Sequence, residues 1–196
     1  MKSEAIVELG KPLQTIETET PEPKGNEVLL KITHSGVCHS DVHIHDGYFD
    51  LGGGNKLPVG AMLNLPHTMG HEIEGEVVSI GPEVTEVEIG SHVVAYPWIG
   101  CGECATCKAG DEHYCNAPRQ LGIQLPGGFA DYCIVPDSKY VLDYEGIRPG
   151  LAATYMCSGL TAFGALKKFV NISDDDHILI MGLGGVGMMG LQFARA

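Results

Sequence analysis

Residues 70–84 read GHEIEGEVVSIGPEV, and this stretch decides the fold class. Its centre, EGEVVSIG at 74–81, sets Val and Ile between glycines, the composition of a strand closed by a tight turn. Working outward, the same grammar recurs in EVLLKITHSGV (27–37), SHVVAYPW (91–98) and FADYCIVP (129–136). From Ala5 to about Val141 short Val, Ile and Leu runs alternate with Gly, Pro, Asn and Asp, which predicts a mainly β domain.

The pattern changes after Pro149. LAATYMCSGLTAFGALKKFV (151–170) spaces its apolar residues as a helix does, with Lys167 and Lys168 where positive charge suits the helix dipole. Residues 173–176 then read as a polar turn, HILIM (177–181) as a short buried strand, GLGGVG (182–187) as a glycine turn, and MMGLQFARA as a helix start. Gly182, Gly184 and Gly187 give GxGxxG, with Gly185 between them. In this pattern the glycines allow a tight turn, close approach to a pyrophosphate and close helix packing. Strand, glycine turn and helix are the opening of a Rossmann unit, and the acidic residue that meets the cofactor ribose about 20 residues on would fall past Ala196. The expected division is 1–149 and 150–196.

Composition narrows the function. With 12 basic against 25 acidic residues the net charge is −13, which disfavours nucleic acid and anionic membrane surfaces as partners. No stretch nears the roughly 18–20 apolar residues of a membrane span, and MKSEAIVELG lacks a signal-peptide pattern, so a cytoplasmic location is expected. In that compartment seven cysteines argue against a disulfide framework, and metal-bound thiolates become the better explanation.

Cys101, Cys104, Cys107 and Cys115 crowd into one Gly-rich loop. Four thiolates in a closed tetrahedron describe a structural zinc with no open position. A [4Fe–4S] cluster also takes four cysteines, although its usual spacings differ. Four unrelated core cysteines fit poorly, because the intervening GE, AT and KAGDEHY are polar. His113 lies inside the loop and reads as surface. Cys133, in DYCIVP, reads as a buried structural cysteine. Cys38, His71 and Cys157 lie far apart, in GVCHSD, GHEIEG and MCSGLT. Two thiolates and one imidazole around zinc would leave a fourth position for water or substrate. Taken singly, each is more often a packed core residue than a ligand.

Gly70, His71, Glu72, Gly75, Gly81 and Val84 fit GHExxGxxxxxGxxV without a mismatch. With the CHSD segment, the four-cysteine loop, Cys157 and GLGGVG in the same order, the chain resembles the zinc-containing alcohol dehydrogenases of the medium-chain dehydrogenase/reductase family over nearly its whole length. The resemblance implies a GroES-like barrel catalytic domain followed by the first βα unit of a Rossmann domain. It implies two zinc ions per chain, NAD or NADP as hydride acceptor, an alcohol with its aldehyde or ketone as substrate and product, and a homo-oligomer for the full-length form.

Residue by residue, the positions matching Cys38, His71 and Cys157 bind the catalytic zinc in that family, and Glu72 matches a carboxylate that modulates its coordination. Asp41 matches the residue that orients the histidine ligand. Ser40 matches the hydroxyl that takes the alcohol's proton, and His43 the imidazole that passes it to solvent; otherwise Ser40 is a helix cap and His43 an exposed helical histidine. His39 matches a position contacting the cofactor pyrophosphate, and Thr161 one near the nicotinamide. Trp98 falls where the family lines its substrate pocket, or else is the core tryptophan.

The chain departs from the family in two respects. The 32 residues between Cys38 and His71 include GYFDLGGGNKLPVGAMLNLP (47–66), expected to be a flexible insertion near the cleft mouth that shapes substrate choice. The remainder of the Rossmann domain and the family's returning C-terminal segment have no counterpart, so the alternative is a catalytically inert zinc-binding GroES-like module.

Overall fold

Why GHExxGxxxxxGxxV carries glycine where it does is visible in the ladder it forms. A computed structural model describes residues 1–169, 173 and 175–196. In it the strand β7 (Glu72–Ile80) pairs antiparallel with β3 (Val28–Gly36), with Gly75 opposite Ile32. A Cβ at Gly75 would stand 2.6 Å from the Lys31 carbonyl oxygen, and one at Gly81 2.3 Å from that of Gly25, so neither position admits a side chain. Val84 closes the motif inside the core with Val28, Leu30, Ile73, Val77 and Val93.

The other strands are β1 (Lys2–Ile6), β2 (Gln14–Glu17), β4 (Tyr48–Gly52), β5 (Asn55–Pro58), β6 (His67–Thr68), β8 (His92–Ala95), β9 (Tyr132–Val135) and β10 (Val141–Asp143). They form a five-stranded sheet in the order β10-β8-β7-β3-β9, a three-stranded sheet β2-β1-β6 and the hairpin β4-β5. All ladders are antiparallel. The Glu4 N–H bonds the Phe129 carbonyl and the Asp131 N–H that of Lys2, joining the small sheet to the segment leading into β9. The helices are α1 (His39–Asp46), α2 (Ala105–Lys108), α3 (Ala152–Thr154), α4 (Leu160–Leu166) and α5 (Gly185–Arg195), with a π-helical segment, Tyr155–Gly159, joining α3 to α4. No helix among the described residues is long and apolar enough to cross a membrane.

Three expectations change. Within the segment 47–66, expected as a loop, residues 48–58 form the hairpin β4-β5: Gly52, Gly53 and Gly54 all adopt positive φ, and Phe49 pairs with Leu57. The helix expected over 151–170 ends at Leu166, its middle turn is π, and Val170 lies outside the described residues. Residues 177–181 are not a buried strand, since Leu179 is 85% and Met181 89% exposed and no ladder partner lies beside them among the described residues. A strand buried on both faces needs neighbours in its own sheet, and HILIM has none here. The turn expected at 173–176 includes Asp174, outside the described residues; Ser173 and Asp176 bond each other across it.

Candidate metal centre

The centre is assembled where β3 gives way to α1. Cys38 is the N-cap of α1, and Asp41, at the third helical position, accepts the Cys38 N–H through Oδ2 at 2.9 Å, closing a reciprocal capping box. The other oxygen of the same carboxylate, Oδ1, accepts Nδ1–H of His71 at 3.2 Å. One buried aspartate therefore fixes both the residue at the head of α1 and the imidazole at the head of β7. Cys157 arrives on the π segment, a widened turn of the kind often found at functional sites. Its Sγ lies 3.8 Å from that of Cys38, and one ligand atom from each of Cys38, His71 and Cys157 falls within 4.8 Å of the others.

This geometry fits a metal. Sulfurs held at about 2.3 Å by one tetrahedral zinc lie about 3.8 Å apart. Asp41 occupies Nδ1 of His71, and the buried Nε2 has no hydrogen-bond partner among the described residues, so that nitrogen is left to bind an ion. The electrostatics favour a thiolate at Cys38. The Cys157 sulfur, then the nearby His71 imidazole, stabilise the Cys38 thiolate, outweigh burial and lower the thiol to about 3, while the Cys38 charge and burial raise Cys157. Burial disfavours a charged His71, yet the Asp41 hydrogen bond and the Cys38 sulfur overcome it and lift the imidazole to about 9. Glu72, buried next to His71, is raised by burial and by the Cys38 charge.

Ser40 sits inside the first turn of α1 and is not its cap; its hydroxyl and N–H both favour the Cys38 thiolate. His43 is half-buried rather than exposed, stacked on His39 at 4.8 Å and against Phe49 of the hairpin at 4.8 Å. No hydrogen bond joins Ser40 to His43 among the described residues. Trp98 is not a core residue. Its ring lies 5.7 Å from that of His71, and its Nε1–H donates to the Met156 carbonyl at 2.8 Å, a carbonyl in the widened turn. Trp98 and Thr161 share the wall of a 670 Å³ cleft with Tyr96, His113, Tyr114 and Leu160. His113 and Tyr114 carry no motif that marks them as lining residues; only the folding of the cysteine loop brings them there.

That loop holds Cys101, Cys104, Cys107 and Cys115 with one sulfur each within 4.8 Å of the others, and the closest pairs at 3.4–3.9 Å. His113 is exposed and outside the cluster. Backbone N–H groups of Cys104, Cys107 and Ala117 point at sulfurs at 3.3–3.4 Å, the donor set that stabilises thiolates, and the N–H groups of Glu103 and Cys104 lower Cys101 to about 6. The loop is tied to the sheet by Glu112, which accepts from Lys139 Nζ at 2.9 Å, from the Tyr140 hydroxyl and from the Gly100 N–H at 3.2 Å. Glu112→Ala is expected to cost about 1–3 kcal/mol, because three donors lose their acceptor, and thermal denaturation reads the loss. Cys133 is buried, as the sequence suggests, and burial raises it to about 12.

At the other end, Gly182 adopts φ +87° and Gly184 caps α5. A Cβ at Gly187 would stand 1.9 Å from the Gly182 carbonyl, so the turn and the helix close on each other only with glycine there. Gly185 faces Ser158, the residue after Cys157, which puts the glycine turn beside the three-ligand cluster.

Residues 24–145 match the family described as the alcohol dehydrogenase GroES-like domain. The chain is similar to the NAD-dependent alcohol dehydrogenases of Saccharolobus solfataricus, at 40% identity over 100% of this chain and 56% of the relative, and of Sulfurisphaera tokodaii, at 39% with the same coverage. Among solved structures it resembles a cobalt- and zinc-bound thermostable alcohol dehydrogenase from Pyrobaculum aerophilum, with TM-score 0.84 and 31% identity over 100% of this chain and 56% of that one. It thus spans little more than half the length of the curated relatives it matches. A mainly β structure and a match over residues 24–145 together show that the chain belongs to the alcohol dehydrogenase GroES-like domain family.

Proposed function

We propose that this chain is the zinc-binding catalytic part of an alcohol dehydrogenase that oxidises an alcohol to an aldehyde or ketone and passes hydride to NAD or NADP. The observation that carries the reading is the convergence of Cys38, His71 and Cys157, three donors of the right kind with a carboxylate fixing the imidazole. The names of its relatives support NAD, and the cobalt- and zinc-bound relative supports zinc. Such an ion supplies a Lewis acid that lowers the pKa of a bound alcohol, and the nicotinamide supplies the hydride acceptor.

The residues of this chain do the rest. Asp41 holds the Nδ1–H tautomer of His71, so that Nε2 presents its lone pair. Ser40, beside Cys38, accepts the proton of the substrate hydroxyl as it releases its own, which an intervening water or hydroxyl carries to His43, half-buried with His39, and from there to solvent. Trp98 and Thr161 shape the cleft. The N-terminus of α5, opened by Gly184, offers backbone N–H groups to the cofactor pyrophosphate, as the start of a Rossmann domain within 150–196. The four-cysteine loop holds a second, structural zinc.

The test is formation of NADH or NADPH by the zinc-loaded protein that carries this chain, over a panel of primary and secondary alcohols. Turnover with at least one alcohol, lost in Cys38→Ser, is expected; no reduction of either nucleotide by any alcohol would contradict the proposal and favour an inert zinc-binding module. The hairpin at 47–58 reaches this site through Phe49 on His43. Shortening it between Asp50 and Lys56 is expected to change the ratio of activities on bulky and small alcohols about tenfold. An unchanged ratio would remove the hairpin from substrate selection.

A further inference from the structure

Glu74 lies two residues beyond Glu72 on β7, on the same face of the strand, and is buried to 1% exposure. A carboxylate taken out of water in this way must have its oxygens satisfied. Its donors come from three places. Both oxygens accept the Gly150 N–H, at 2.9 and 3.1 Å; Oε1 also accepts the Tyr144 hydroxyl at 3.1 Å and stands 3.2 Å from Nδ1 of His34. His34 is on β3, and its ring packs against Gly150, which adopts φ +80°. The bond to Gly150 spans 76 residues of sequence and ends one residue before Leu151, the N-cap of α3.

The consequence lies seven residues further on, at Cys157. Cys157 lies on the π segment that continues α3 without a break, so its position follows from where α3 is pinned to β7. Ala152 and Ala153, buried to 1% exposure, pack that first turn against β7 and β3. The strand that presents His71 at its head therefore also fixes where the helix bearing Cys157 begins. The ladder does not do this by itself, since β7 and the helix share no hydrogen-bonded register.

We propose that Glu74 is a positioning residue for the metal centre: by holding the Gly150 N–H it sets the start of the linking helix and so the reach of the Cys157 sulfur towards the ion bound by Cys38 and His71. The proposal rests on the three-ligand reading above. Glu74 is not among the three clustered donors, and its hold on the helix is through the backbone of Gly150.

Cobalt(II) is the probe, because its thiolate charge-transfer and visible bands report ligand geometry whether or not the protein turns over. The spectrum of each protein is taken as the difference from its own His71→Ala version, which leaves only the four-cysteine loop occupied. In the wild type this difference is expected to show a thiolate-bound cobalt; its absence would overturn the three-ligand reading and this proposal with it. With the wild-type difference present, Glu74→Ala is expected to bind cobalt at that site about tenfold more weakly and with shifted bands. Glu74→Gln, which keeps one acceptor for Gly150, is expected to recover most of the affinity and the band positions. Gly150→Ala, which strains the same joint without touching the carboxylate, is expected to reproduce the Glu74→Ala spectrum. Lower thermal stability with wild-type affinity and bands in Glu74→Ala would mean that Glu74 serves the fold alone, and would overturn the proposal. Should Glu74→Ala not fold, Glu74→Gln and Gly150→Ala decide: wild-type affinity and bands in Gly150→Ala overturn it.

Discussion

Stripping the four-cysteine loop of its metal, by chelation or by Cys104→Ser, is expected to lower the melting temperature by about 10 °C. Within residues 101–115 only Cys107 and Cys115 are buried, so the loop has almost no apolar surface with which to hold its own shape. Its intervening residues are glycines, two alanines and charged or polar side chains, and its sulfurs approach to 3.4 Å, a spacing that uncompensated thiolates resist. Zinc relieves this, and in such sites metal binding is itself folding free energy. A loss of about 3–5 kcal/mol corresponds to about 10 °C at roughly 2–4 °C per kcal/mol for a chain of this size. The measurement is a thermal scan of matched metal-loaded and chelated samples with metal content determined on each. An unchanged melting temperature with the loop demonstrably empty would mean that Glu112 and the sheet hold it without an ion.

Asp41→Ala is expected to weaken zinc at the three-ligand centre about 100-fold and to cost about 2 kcal/mol of stability. Both effects follow from one carboxylate with two jobs. Losing Oδ2 removes the cap bond at the head of α1, typically worth about 1 kcal/mol. Losing Oδ1 leaves the Nδ1–H of a fully buried imidazole without an acceptor and frees the ring to turn. Asp41→Asn keeps an acceptor for one of the two donors and is expected to fall between. Competition for zinc with a chromophoric chelator, beside denaturant unfolding, reads the two effects separately. Wild-type zinc affinity in Asp41→Ala would remove the aspartate from the metal centre.

Much of this was legible from local composition, and the physical reason is the same wherever it was not. The runs at 27–37, 74–81, 91–98 and 129–136 carry β3, β7, β8 and β9 because alternation and glycine punctuation are local properties of a half-buried antiparallel strand. The four cysteines are close in sequence and could scarcely avoid meeting. Cys38, His71 and Cys157 are different: nothing between them says they converge, and only the motif around His71 joins them. HILIM has the composition of a buried strand, but burial depends on neighbours: no described strand pairs with it, and only Ile180 is partly covered, beside Gly187 and Gly190 of α5. The π turn at Tyr155–Gly159 adds one residue to a helical repeat, a change too small for periodicity to register. Glu74 and Glu112 went unmarked because a carboxylate looks the same in sequence whether it faces water or binds a backbone N–H 76 residues away. The hairpin at 48–58 was within reach, since three consecutive glycines before an asparagine between short apolar runs are a turn signal.

Zinc per chain, determined on the purified protein and on its Cys38→Ser, His71→Ala variant, tests the central claim most directly. Two zinc ions falling to one on mutation is the predicted result, with the remaining ion held by the four cysteines. One zinc in both proteins would contradict the account, because Cys38, His71 and Cys157 would then share a corner of the fold without holding a metal.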